Sequence, residues 1–96
     1  MGPVLNQQKI KELTENLNQV WRSNDQFLKS EFKFQDYQAT MKFVNAVATL
    51  ANTQNHHPTM VVDFNMAQVQ LTTHDSGNIL TIKDFELARA IDQIPL

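Results

Sequence analysis

From Asn6 to Val20 the apolar residues Ile10, Leu13, Leu17 and Val20 recur at three- and four-residue steps among Gln, Lys, Glu and Asn. That spacing predicts an amphipathic surface helix. Trp21 and Arg22 lead into Ser23-Asn24-Asp25, a turn-forming cluster, and Gln26 to Phe34 follows with Phe32 and Phe34 alternating against Glu31 and Lys33, which predicts a hairpin. Asp36 stands where an N-cap belongs. Beyond it Tyr37, Thr40, Phe43, Val44, Val47, Leu50 and Ala51 keep helical spacing, so a second helix is expected to run to about residue 53. A residue before proline is pushed out of the helical region, so His57-Pro58 marks an extended exit. Met60, Val62, Phe64 and Met66 alternate with Val61, Asp63 and Asn65, and Val69, Leu71 and Thr73 alternate with Gln70, Thr72 and His74. Two strands with a tight link are expected. Asp75 to Asn78 reads as a loop. Thr81 and Asp84, three residues apart, resemble a capping box for a last helix that carries Phe85, Ala88, Ile91 and Ile94.

The predicted order is αββαββα, an α+β fold with a four-stranded antiparallel sheet and three helices packed on one face. Residues 1–96 are expected to form one domain, since 96 residues can build one core and not two. Phe32, Phe34, Phe43, Phe64 and Phe85 fall at core spacing, and Trp21 is assigned to packing. The second helix carries apolar residues around much of its circumference, which suggests contact with another copy. A small chain without a disulfide points the same way, toward an oligomer.

Composition narrows the function classes. Hydrophobic residues at 42% and charged residues at 19% are ordinary globular values, so the chain is expected to fold. The net charge is −2, and the eight Lys and Arg are dispersed, so no basic stripe exists to neutralise a nucleic-acid backbone. With no cysteine there is no thiol chemistry and no disulfide framework. No apolar run approaches the ~20 residues of a spanning helix, and Met1 to Gln8 lacks a secretory h-region. The cytoplasm is the expected location, with no membrane partner.

Chemistry concentrates in the three histidines, His56, His57 and His74. If the hairpin turns near Met66-Ala67, Thr59 faces His74 and the His56-His57-Pro58 segment lies beside it, gathering imidazoles at one end of the sheet. Histidine, with an unperturbed pKa of about 6.5, can give or take a proton near neutral pH. One positioned acid or base is worth roughly a hundred- to ten-thousandfold in rate, so a pair can support catalysis without a metal. Two other readings stay open on residues alone: surface or hydrogen-bonded structural histidines, and a three-imidazole zinc site. Against the zinc site, adjacent histidines diverge in direction and no carboxylate stands at the short helical spacings of zinc motifs.

Over nearly its whole length the chain resembles the pterin-4a-carbinolamine dehydratases, known in animals also as dimerisation cofactors of homeodomain transcription factors. The resemblance rests on His56-His57-Pro58, on Phe64 six residues past the proline, on His74 and on Asp84. Trp21, the segment from Phe32 to Tyr37, and Ala39, Phe43, Val44, Val47 and Ala48 add to it. It implies loss of water from 4a-hydroxytetrahydropterin to give quinonoid dihydropterin, in support of aromatic amino-acid hydroxylases, and assembly as a homodimer or homotetramer. By carry-over His56 and His74 would be the acid/base pair, His57 and Pro58 would contact the pterin, and Asp84 would orient an imidazole or touch the ring. Asp84 also has a plain reading as a helix-terminal acid favoured by the dipole. The pterin is the substrate, so no cofactor and no metal are implied. Two positions depart from the family pattern. Asn52 replaces an ionisable residue, which bears on the tuning of His56, and Met60 replaces a frequent tryptophan with a non-planar apolar wall. The alternative function is an interaction module, a coactivator or assembly factor, on the same scaffold.

Overall fold

The computed structural model describes residues 5–18 and 20–96. Helix α1 spans Gln7–Glu15, opened by Asn6, whose side chain accepts from the Lys9 N–H at 2.8 Å. It is shorter than the pattern predicts. Asn16 caps it, and the Leu17 N–H returns to the Thr14 carbonyl in a turn rather than extending the helix. Asn16 and Asn18 are poor helix residues, and an apolar step alone does not overcome them. Gln19, inside the segment expected to be helical, lies outside the described residues.

Strands β1 (Trp21–Ser23) and β2 (Leu28–Lys33) form the first hairpin. Its turn is built by Asn24, whose Oδ1 accepts from the Gln26 and Phe27 N–H groups, both at 2.8 Å. Helix α2 runs from Tyr37 to Gln54, and Asp36 caps it through the Ala39 N–H at 2.8 Å. Strands β3 (Thr59–Asp63) and β4 (Met66–Leu71) follow, then a 3₁₀ turn at His74–Ser76 and helix α3 (Ile82–Asp92). The element order is the expected one, and all strand pairs are antiparallel, in the spatial order β1-β2-β4-β3.

Burial alternates along the two central strands. Leu28, Ser30 and Phe32 of β2 and Ala67, Val69 and Leu71 of β4 face inward, while their neighbours are open or half-buried. On that inner face pack Phe43, Val47 and Ala51 of α2 and Phe85, Leu87, Ala88 and Ile91 of α3. Phe32 lies tilted against Phe43, ring centroids 4.6 Å apart, and meets Trp21 edge-on at 6.0 Å. Trp21 is buried as expected, and its indole Nε1–H donates to Asp92 Oδ1 at 2.6 Å, tying β1 to the end of α3. The outward face of α2 carries Asn45, Ala48, Thr49 and Asn52, which are small or polar.

Two expectations about the second hairpin are corrected. Its link is Phe64-Asn65, so Thr59 pairs with Gln70 and not with His74, a slip of four residues. Phe64 is not core: sitting in that link, it is 61% exposed. Because β3 lies at the sheet edge, Val61 and Val62 are also largely open, and only Met60 of this strand packs against the core. Ile94, placed on the last helix by spacing, lies beyond its end, half-buried against the core.

Candidate active site

The site begins where α2 stops. Asn55 adopts the left-handed conformation (φ 50°, ψ 44°), and the His56 N–H bonds back to the Ala51 carbonyl at 3.0 Å. This is a Schellman-type ending, in which asparagine is one of the few residues that takes the left-handed turn cheaply. The helix cap therefore fixes the His56 backbone before its side chain does anything. The ring is nearly buried, and its Nε2 lies 2.6 Å from Asp84 Oδ1.

Asp84 is fully buried in the first turn of α3. A buried carboxylate is costly unless its lone pairs are filled. Here Oδ2 accepts from the Thr81 N–H at 3.0 Å and from the Thr73 hydroxyl at 2.8 Å, while Oδ1 meets His56. The helix N-terminus adds a favourable field. The expected capping box between Thr81 and Asp84 is present, so one carboxylate both closes the helix and holds an imidazole. Asp84 is therefore at once a helix-terminal acid and the hydrogen-bond partner of an imidazole.

Hydrogen accounting orients His56. A carboxylate has only acceptors, so the shared position at 2.6 Å is filled by the Nε2–H of the ring. Nδ1 is the nitrogen left for a ligand. His74 has the opposite commitment. It is exposed, at the start of the 3₁₀ turn, and its Nδ1 donates to Asn78 Oδ1 at 2.9 Å, leaving Nε2. The loop from His74 to Asn78 is clasped at its base by the Thr73 N–H to Ile79 carbonyl bond at 3.0 Å and turned by Gly77 and Asn78 at positive φ.

The two histidines are thus linked, but not by strand pairing. Thr73, the residue before His74, bonds Asp84, and Asp84 bonds His56. The first turn of α3 joins the two segments, and the register slip removes the cross-strand route. His57 is exposed and Pro58 half-buried at the entry to β3; Asn52 is exposed in the last turns of α2. Thr73 entered the sequence pattern only as a strand position, and nothing in its spacing signals a bond to Asp84. Among the described residues no group of three or more His, Asp or Glu is placed to hold a metal ion. No described helix is long and apolar enough to cross a membrane. An apolar trough of about 490 Å³ lies near the opposite end of α2, beside Phe34, Lys42, Phe43 and Ile94.

The model of the family described as pterin 4 alpha carbinolamine dehydratase matches residues 3–94. The chain belongs to this dehydratase family. A relative from Legionella pneumophila strain Corby, provisionally named a pterin-4-alpha-carbinolamine dehydratase, is 40% identical over 98% of this chain and 84% of its own length. One from Aquifex aeolicus, with the same provisional name, is 38% identical over 94% of this chain and 89% of its own. Among solved structures, a protein from Brucella melitensis titled transcriptional coactivator/pterin dehydratase superposes with a TM-score of 0.86. It is 26% identical and covers 94% of this chain and 96% of its own. A pterin dehydratase-like RuBisCO assembly factor of the alpha-carboxysome shares the fold at a TM-score of 0.60, with 20% identity, 75% of this chain and 82% of its own. The family match spans the histidine segment and the α3 capping box seen here, and the Brucella protein shares the fold.

Proposed function

We propose that this chain dehydrates 4a-hydroxytetrahydropterin to quinonoid dihydropterin, with His56 and His74 as the acid/base pair. Dehydration needs one group to protonate the departing 4a hydroxyl and another to take the N5 proton. The observation that carries the reading is the buried His56–Asp84 pair at 2.6 Å, linked through Thr73 to the segment of His74. Each ring has one nitrogen held by the protein and the other left over, Nδ1 in His56 and Nε2 in His74. Such tethering fixes tautomer and orientation, which proton transfer requires. His57, exposed beside His56, and Pro58 serve as pterin contacts, and Asp84 acts on the ring of His56 rather than on the substrate. No cofactor or metal takes part, and the enzyme works in the cytoplasm as a homo-oligomer alongside an aromatic amino-acid hydroxylase.

Dehydration of freshly generated 4a-hydroxytetrahydropterin, followed optically against the spontaneous rate, tests this directly. Acceleration that is lost in His56→Ala and His74→Ala is the expected outcome. No acceleration by the unaltered protein overturns it. A second reading, an interaction module on the same scaffold, draws on the open apolar edge of β3 at Val61 and Val62 beside Phe64 and on the coactivator title of the Brucella protein. It predicts unchanged partner binding when both histidines are replaced.

A further inference from the structure

Behind the His56–Asp84 pair lies a second hydroxyl pair whose proton positions follow from counting. Thr73 Oγ1 lies 2.8 Å from Asp84 Oδ2 and 2.7 Å from Thr81 Oγ1. Each hydroxyl has a single hydrogen. Asp84 Oδ2 can only accept, so Thr73 spends its hydrogen there and must accept from Thr81. Thr81 Oγ1 in turn accepts from the Lys83 N–H at 3.3 Å. The result is a one-way chain: Lys83 N–H to Thr81, Thr81 to Thr73, Thr73 to Asp84, with His56 Nε2–H arriving at the other carboxylate oxygen. Both threonines are buried, so no water competes for these positions.

We propose that Thr73 is a positioning residue for His56, acting through Asp84. The inference rests on the dehydratase reading for its effect on rate, and on geometry alone for its effect on the ring. The capping box fixes Asp84 relative to the backbone of α3, but the Thr81 N–H grips only Oδ2, about which the carboxylate can still swing. The Thr73 hydroxyl, arriving on that same oxygen from another segment, sets the plane of the carboxylate and hence the direction from which Oδ1 receives the imidazole. Thr73 is also the residue that leads into His74. One side chain therefore aligns the first histidine while its backbone launches the second. Its neighbour Thr72 is a built-in contrast: equally buried, it has a hydroxyl with no hydrogen-bond partner among the described residues.

The test compares Thr73→Val, Thr73→Ala and Thr73→Ser with the unaltered protein, using Thr72→Val as the control for a buried threonine without this role. In Thr73→Val the turnover number is expected to fall roughly tenfold, the size of a lost hydrogen bond to a charged group. KM should stay within about twofold, and Thr73→Ser should recover most of the rate because it keeps the hydroxyl. The readout independent of activity is the ¹⁵N and ¹H NMR signature of the His56 Nε2–H. It should shift in Thr73→Val and return in Thr73→Ser. If the valine variant does not fold, Thr73→Ala removes the hydroxyl without adding an apolar branch and carries the same expectations. An unmoved His56 resonance in a folded variant without the hydroxyl overturns the proposal, as does a serine variant as impaired as the valine. A protein that never dehydrates the pterin but shows the NMR shift would remove the proposed function while leaving the positioning role of Thr73 intact.

Discussion

His56 and His74 are held in opposite ways. His56 is nearly buried, its backbone locked into the end of α2 and its ring locked to a buried carboxylate. His74 is exposed on a short clasped loop, with one bond to Asn78, itself an exposed residue. The burial of the first makes its ring part of the fold. The openness of the second leaves the ring with almost no structural duty. Removing either should harm the chemistry, but only one removal should harm stability, and that asymmetry can be broken or sharpened by substitution.

The largest effect is expected at the hub. Asp84→Ala takes away the acceptor of His56, Thr73 and the Thr81 N–H at once. Unmade bonds to a buried charged group and a lost cap predict a destabilisation of about 3 kcal/mol. In a domain of this size that lowers the thermal midpoint by roughly 15 °C, readable by circular dichroism. Dehydration should be lost even below that midpoint. His56→Ala comes next. It leaves the carboxylate with an unfilled oxygen, for about 2 kcal/mol, together with a rate loss of roughly a hundredfold. His74→Ala should match that rate loss with stability changed by less than about 0.5 kcal/mol in urea unfolding. Equal stability costs for the two alanine variants would erase the contrast. The smallest effect is reserved for Asn78→Gly, which keeps the left-handed backbone at φ 61° and deletes only the tether of the His74 ring. Stability should hold, and the rate should drop by roughly threefold, about the worth of one exposed hydrogen bond.

Much of this architecture was legible in the chain because local chemistry encodes it locally. Asp36 announces α2, and Thr81 with Asp84 announces α3, since a cap needs only residues three apart. Helix α1 was less readable, because its apolar steps continue through Leu17 while the Asn residues end the helix. The second hairpin shows the limit most clearly. Alternation has a period of two, so a slip of four residues leaves every side chain on the same face and costs the pattern nothing. Only the turn can fix that register, and Phe64-Asn65 lacks the usual glycine signal. Phe64 misled for a related reason: its position continues the alternation, but an edge link has no layer above it. The histidine cluster was visible as composition, and the aspartate as a capping residue. Their meeting was not, because it depends on how α3 enters the fold, which no spacing in the chain expresses.

Asp84 has two employers. A screen of variants for folding alone would retain it, since the first turn of α3 needs it whether or not a pterin ever arrives. His56 is partly protected in the same way. Under the proposed function, the position that reports on chemistry is His74, which the fold hardly uses. In a chain of this architecture that had given up catalysis for a scaffold role, drift should therefore appear first at His74 and last at Asp84.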